Sequence, residues 1–269
     1  MKLSIITVNK NNAPGLEKTI KSVVCQTFRD FEYIVIDGAS TDGSVNIIKE
    51  YVTGINYWVS EADTGIYSAM NKGIQKAAGE YCLFLNSADC LISPTTLENV
   101  FNEIDMSSDI YYSDLQKSNF DYTSIPVNAN VNYIIGNTMN HQNMLIRRTL
   151  FCDHGFYDEN ISLVADTEFL LRETWVYKVK LKHINTNIAL YDISGLSGWA
   201  PSDLINRERE IICSNIFGEL GPSIFELYQY RTSLYGSITK SFGCSKFLVF
   251  LLRLYRFLAC RLKLVNIKI

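Results

Sequence analysis

The chain has 269 residues, 47% of them hydrophobic and 20% charged, with a formal net charge of −3. That balance excludes a disordered chain, since the apolar content fills a sizeable core, and it argues against general nucleic-acid binding. Seven cysteines, odd in number and without a C-x-x-C pair, exclude a disulfide framework or zinc knuckle and predict reduced thiols in a cytoplasm.

After Met1-Lys2 the apolar run "LSIITV" is too short for the core of a signal peptide and reads as a first strand. Pro14 suits a first helical turn, and Leu16, Ile20, Val23 and Val24 recur at helical spacing. "FEYIVIDGAS" predicts a second buried strand ending in Asp37, and Asp42 a cap for the helix "DGSVNIIKEY". "INYWVSEAD" is a third strand. "TGIYSAMNKGIQKAAG" is a helix with Ile66, Ala69, Met70, Gly73, Ile74 and Ala77 on one face, stopped at Gly79. "EYCLFL" is a fourth strand, running into Asn86-Ser87-Ala88-Asp89. Pro94 opens another helix, and "DIYYSDL" reads as one strand. Later, "NMLIRRTLF" reads as a strand entering a helix, "ADTEFLLRETWVYK" as an amphipathic helix, and "NIALYDISGLSG" as a strand opening into a Gly/Ser loop.

Near-continuous apolar strands alternating with helices predict an α/β fold, a mostly parallel sheet with helices on both faces. Ligands bind such sheets at the carboxyl ends of the strands. Three of those ends carry a distinctive polar group: Thr7-Val8-Asn9, Asp37 and Asp89. The first turn lacks G-x-G-x-x-G, which removes the best support for a dinucleotide-binding oxidoreductase.

The order of "SIITVNKNN", "QTFRDFEYIVIDGASTDGS", "SEADTGIYSAMNKGIQKAAGEYCLFLNSAD", "HQNMLIRRTLF" and "YDENISLVADTEFLLR" resembles glycosyltransferase family 2, the inverting nucleotide-sugar enzymes with the GT-A fold. The resemblance covers residues 1 to 215 and implies a bacterial surface-polysaccharide enzyme, of capsule or lipopolysaccharide assembly. It implies donor contacts at Thr7, Asn9, Asp37, Asp63, Lys72, Asn86 and Ala88. It also implies a divalent cation, Mg²⁺ or Mn²⁺, at Asp89, and a general base at Asp166. Asn86 takes the first acidic place of the family's D-x-D element, Ala88 stands where relatives often have Gly, and Lys10 replaces a usual aromatic. A single carboxylate suffices for Mg²⁺, which keeps waters and takes substrate phosphates as ligands.

Blander readings stand beside these. Asp37 would cap a turn, and Asp166 would be a helix N-terminal acid favoured by the dipole, with Glu168 the base instead. His141 would contact acceptor or donor, or satisfy a core hydrogen bond. Tyr67 and Met70 read as core and pocket wall, while Tyr67, Trp58 and Trp199 are candidates to stack on sugar or base. Lys72 and Arg147 are candidate positive charges near the diphosphate. The alternatives to transfer are an inactive nucleotide-sugar or glycan binding module on the same fold, and a nucleotidyltransferase, which would release pyrophosphate.

Residues 1–222 read as one catalytic domain and 223–269 as a basic helical tail. After Glu226 there is no acidic residue, and Lys246, Arg253, Arg256, Arg261 and Lys263 gather on one side of a Leu/Phe-rich helix. Arginines interrupt the run too often for a membrane span, so an interfacial helix on anionic lipid is expected; the alternative is packing on the domain or a partner subunit. The expected enzyme is cytoplasmic, peripheral on the inner face of the plasma membrane, and acts on a saccharide or lipid-linked saccharide acceptor.

Overall fold

The computed structural model describes residues 1–229 other than 120, 138 and 196–200. Strand β1 (Leu3–Asn9) pairs in parallel with β2 (Phe31–Asp37) from Leu3↔Phe31 to Asn9↔Asp37, so the two strands end side by side. On its other edge β1 takes β4 (Tyr81–Phe84), also parallel, and β3 (Tyr57–Ser60) extends the sheet beyond β2. β9 (Met144–Arg147) runs antiparallel between β4 and β6 (Ile110–Tyr112), and β10 (Leu181–His183) closes that edge. The order is β10-β6-β9-β4-β1-β2-β3.

Both faces are covered, for reasons visible in the strand alternation. Leu3, Ile5, Tyr33, Val35 and Leu83 form one core cluster with Leu16 and Ile20 of α1 (Ala13–Val24), Ile48 of α2 (Ser44–Glu50) and Leu97 of α4 (Thr96–Glu103). On the opposite face α3 (Ile66–Lys76) lies close to β1: a Cβ on Gly73 would fall 2.4 Å from Ile6 Cγ2. Beside it Phe84 packs edge-on against Phe151 and Tyr157, and Phe151 stacks on Phe169 at 4.5 Å. Beyond the short α5 (Val131–Ile134), Phe151 lies on α6 (Arg148–His154) and Phe169 on α7 (Ala165–Leu171). After α3 the chain crosses β1 so tightly that a Cβ on Gly79 would stand 2.5 Å from the Leu3 carbonyl carbon.

A second sheet was not anticipated. It joins β5 (Cys90–Leu91), β11 (Ala189–Tyr191), β7 (Leu115–Lys117) and β8 (Tyr122–Thr123) in that order. "DIYYSDL" is therefore two strands in two sheets. Between them Ser113 N donates to the Asn143 carbonyl, and the Asp114 carboxylate, held by Ile125 N at 2.8 Å, draws the chain out of the first sheet. Gly43, at φ 99°, is the cap residue of α2; Asp42 stands just before it and accepts from Ser44 N and Ala13 N, tying α2 to α1. The helix expected over "ADTEFLLRETWVYK" is α7 followed by a π-helical turn, Arg172–Val176.

Backbone contacts divide the chain into Met1–Gly221, which ends with α8 (Ser202–Phe217) and a short turn, and Pro222–Ile269. Of the expected basic tail, residues up to 229 are helical; the cationic stretch from 230 onward lies outside the described residues.

Candidate active site

A cleft of about 340 Å³ opens at the carboxyl ends of β1 and β4. Asn9, Lys10, Asp63, Asn86, Asp89 and Gln142 line it, and Tyr191 and Asp192 close one side. Asn9 is fixed from both directions: its Nδ2 donates to Asp37 Oδ1 at 2.6 Å and its Oδ1 accepts from Ser87 Oγ at 2.7 Å. Asp63 comes from the loop after β3 and lies over Gly38, where a Cβ would meet Asp63 Oδ2 at 2.4 Å. Lys10 Nζ stands 3.9 Å from the Asp63 carboxylate.

The turn carrying Asp89 is held by α1. Ala88 has φ 86°, a conformation that favours glycine, and its N–H is bound by the Gly15 carbonyl and Thr19 Oγ1, each at 3.0 Å. Thr19 Oγ1 in turn donates to the Asp89 carbonyl at 2.6 Å. The Asp89 side chain is 2% exposed. It accepts from Asn86 N at 3.1 Å, Gln142 Nε2 at 2.8 Å and Asp192 N at 2.8 Å. Burial raises its pKa to about 6, against the opposing pull of those bonds. A carboxylate has about four acceptor positions, so one remains open. Two further oxygens nearby, Asn86 Oδ1 and Gln142 Oε1, are buried without a partner among the described residues. Orphaned buried carbonyls call for a partner from outside the chain, a water or an ion. One carboxylate and two amide oxygens form an all-oxygen set that suits a hard divalent cation taking further ligands from substrate phosphate and water. Among the described residues no three His, Cys, Asp or Glu side chains cluster to hold a metal unaided.

Asp166 lies in the first turn of α7 and is 4% exposed. Thr167 N donates to Oδ1 at 2.8 Å, and His141 Nδ1 lies 3.2 Å from Oδ2. The Tyr67 hydroxyl is 3.5 Å from Oδ1, but its single proton has a shorter bond, 3.0 Å, to the Leu163 carbonyl. The other side of the His141 ring, Nε2, lies 3.0 Å from Asn86 Nδ2. Upstream of Asp166, the backbone N–H groups of Ser162, Leu163 and Val164 all donate to the Glu208 carboxylate on α8. A second cavity of about 390 Å³ is lined by Asn140, Leu163 and Val164, chain neighbours of His141 and Asp166, and shares Tyr191 with the first.

The structure thus brings Asn9, Asp63, Asn86 and Asp89 to the cleft, with His141 and Asp166 linked to it through Asn86. It does not bring the others there. Thr7 is fully buried, with its hydroxyl on Tyr33, because strand alternation turns it into the helix layer. Asp37 stands behind the wall, its carboxylate accepting from Asn9, Ser60 and twice from Ser40. Lys72 reaches the Ala62 carbonyl and Glu61. Ala88 shapes the turn through its backbone. Glu168 is ion-paired with Arg172 at 3.0 Å; burial raises its pKa and Arg172 opposes the rise. Arg147 is tied to Glu80, Tyr81 and the Met106 carbonyl. Trp58 packs against the core, and Trp199 lies outside the described residues. Gln142, Asp192 and Glu208 were missed; only the adjacency of Gln142 to His141 hinted at any of them.

Residues 4–157 match the family described as Glycosyl transferase family 2. An uncharacterized glycosyltransferase of Mycobacterium tuberculosis is 32% identical over 181 residues, 65% of this chain and 69% of the relative. Among solved structures, S. aureus TarS superposes with a TM-score of 0.66 at 20% identity, covering 91% of this chain and 44% of TarS; its 1–349 fragment is known with UDP and with UDP-GlcNAc. The mannosyltransferase PcManGT of Pyrobaculum calidifontis, in complex with GDP-Man and Mn²⁺, superposes with a TM-score of 0.64 at 14% identity, covering 96% of this chain and 80% of the mannosyltransferase. The shared architecture is the GT-A fold.

Proposed function

This chain belongs to glycosyl transferase family 2 and is a glycosyltransferase, and we propose that it moves a sugar, with inversion, from a nucleotide-sugar donor to a saccharide or lipid-linked saccharide acceptor of the cell surface. The observation that carries the reading is the open acceptor position on Asp89 beside two orphaned amide oxygens, in a cleft at the ends of parallel strands. Uridine is the base assigned first, by likeness to TarS with UDP-GlcNAc.

Asp89, Asn86 Oδ1 and Gln142 Oε1 would hold Mg²⁺ or Mn²⁺, which when bound offsets the negative charge growing on the departing diphosphate. The exposed ammonium of Lys10 adds positive charge on the same wall. Asn9 and Asp63 meet the nucleoside. The acceptor occupies the second cavity, and Asp166 takes the proton of its hydroxyl as that oxygen attacks C1 from the face opposite the diphosphate. With two firm hydrogen bonds the Asp166 carboxylate keeps lone pairs for that proton. The basic stretch 230–269, from its sequence, attaches the enzyme to anionic lipid at the inner membrane face; no helix among the described residues is long and apolar enough to cross a membrane.

Calorimetry of the purified protein against UDP and GDP, with and without Mn²⁺, tests the donor side: cation-dependent binding of one nucleotide is expected, and no binding to either removes the reading. Asp166→Asn should slow sugar transfer by about 10²- to 10⁴-fold while UDP still binds. Full activity in that variant would take Asp166 out of the mechanism.

A further inference from the structure

The short turn His141–Asn143 sends three successive, almost fully buried side chains to three different parts of the site. His141 stands between Asp166 and Asn86. Gln142 Nε2 donates to Asp89 at 2.8 Å. Asn143 Oδ1 accepts from Ala189 N at 3.2 Å and Ser113 Oγ at 3.3 Å, fixing the strand that leads into Tyr191 and Asp192. The cause is geometric: a 3₁₀ turn has three residues per turn, so consecutive side chains point about 120° apart. Antiparallel β9, which follows directly, brings this turn to the carboxyl end of β4, beyond which the chain enters the Asn86–Asp89 turn.

We propose that the His141–Asn143 turn is a positioning device that sets Asp166 against Asp89, so that occupation of the Asn86–Asp89 end fixes the orientation of the base. This rests on the functional reading above. The coupling runs through the Asn86 amide. With its Oδ1 turned toward a cation, Nδ2 faces His141 Nε2, which must accept; the ring proton is then on Nδ1 and donates to Asp166. With the amide reversed, Oδ1 would face Nε2, the proton would move there, and Nδ1 would turn a lone pair on the Asp166 carboxylate. Two acceptors cannot share that contact, so the base would lose its orientation. Phe84, edge-on to the imidazole with 6.3 Å between ring centroids, keeps the ring in this plane.

Two measurements test it. Nitrogen-15 NMR of histidine-labelled protein reads the tautomer directly. Only three histidines are present, and His141→Asn identifies the signal. With UDP and Mg²⁺ bound, the neutral Nδ1–H form is expected; the Nε2–H form would overturn the proposal. The second measurement separates the two ends. An asparagine amide reaches the Nδ1 place and keeps the bond to Asp166, whereas a glutamine amide reaches the Nε2 place and keeps the bond to Asn86. His141→Gln should therefore lose about tenfold more turnover than His141→Asn, measured as UDP release from whichever of UDP-GlcNAc, UDP-glucose and UDP-galactose the wild type uses fastest. His141→Asn should show the larger loss of affinity for UDP with Mg²⁺. Equal losses in both quantities for both variants would reduce the turn to packing. A wild type that neither binds UDP nor releases it from any of the three would overturn the functional reading itself.

Discussion

Asp37 ends β2 and Asp89 stands in the turn that follows β4, on either side of β1; both are almost without exposure, yet their hydrogen-bonding surroundings differ. Burial raises the pKa of each. At Asp37 the bonds from Ser40, Ser60 and Asn9 outweigh burial and hold the pKa below 3.8. At Asp89 burial wins, and the value reaches about 6. Four donors saturate the first carboxylate; three leave the second one short. Burial alone does not mark a site. Asp37 anchors three segments with its acceptor positions filled, and Asp89 keeps one position open.

The sharpest way to break this contrast is to neutralise each residue in turn. Asp37→Asn places amide protons against donors and should cost about 4 kcal/mol of stability, read by urea denaturation. Asp89→Asn should instead weaken cation-dependent UDP binding by about a hundredfold, read by calorimetry, with little loss of stability. If both variants behave alike, the contrast fails.

Acidification distinguishes the same pair. The folded pKa of Asp89 lies above its unfolded value of 3.8, so its contribution is fully present below 3.8 and is lost as pH rises through about 6. The wild type should therefore gain about 2 kcal/mol on Asp89→Asn between pH 7 and pH 4, while cation-dependent UDP binding weakens as the proton competes. Asp37 has the opposite sign: its contribution is present above 3.8 and is lost as pH falls through its lowered value. The smallest effect is expected at Lys72, whose ammonium is turned to Glu61 and the Ala62 carbonyl. Lys72→Ala should cost less than about 0.5 kcal/mol and leave UDP affinity unchanged.

The alternation from β1 to β4 was legible because apolar strands of four to seven residues alternate with amphipathic helices that carry their period in the chain itself. The second sheet was not, because two- and three-residue strands such as Cys90–Leu91 and Leu115–Lys117 are too short to show a period. The same limit made "DIYYSDL" look like one strand.

The sequence by itself determined which residues stand at the strand ends, and motif order pointed to Asp89 and Asp166. Tertiary structure alone decided how far the hydrogen-bonding positions of those carboxylates are filled. Whether a strand-end carboxylate is filled depends on donors from distant segments: Ser60 on the next strand over for Asp37, Gln142 and Asp192 for Asp89. Thr7 and Asn9 share one face of β1, and their place along the strand separates them: Thr7 lies in the core against Tyr33, and Asn9, the last residue, reaches the cleft. Hydrogen-bond saturation is a property of neighbours in space, and no local pattern in the chain encodes it.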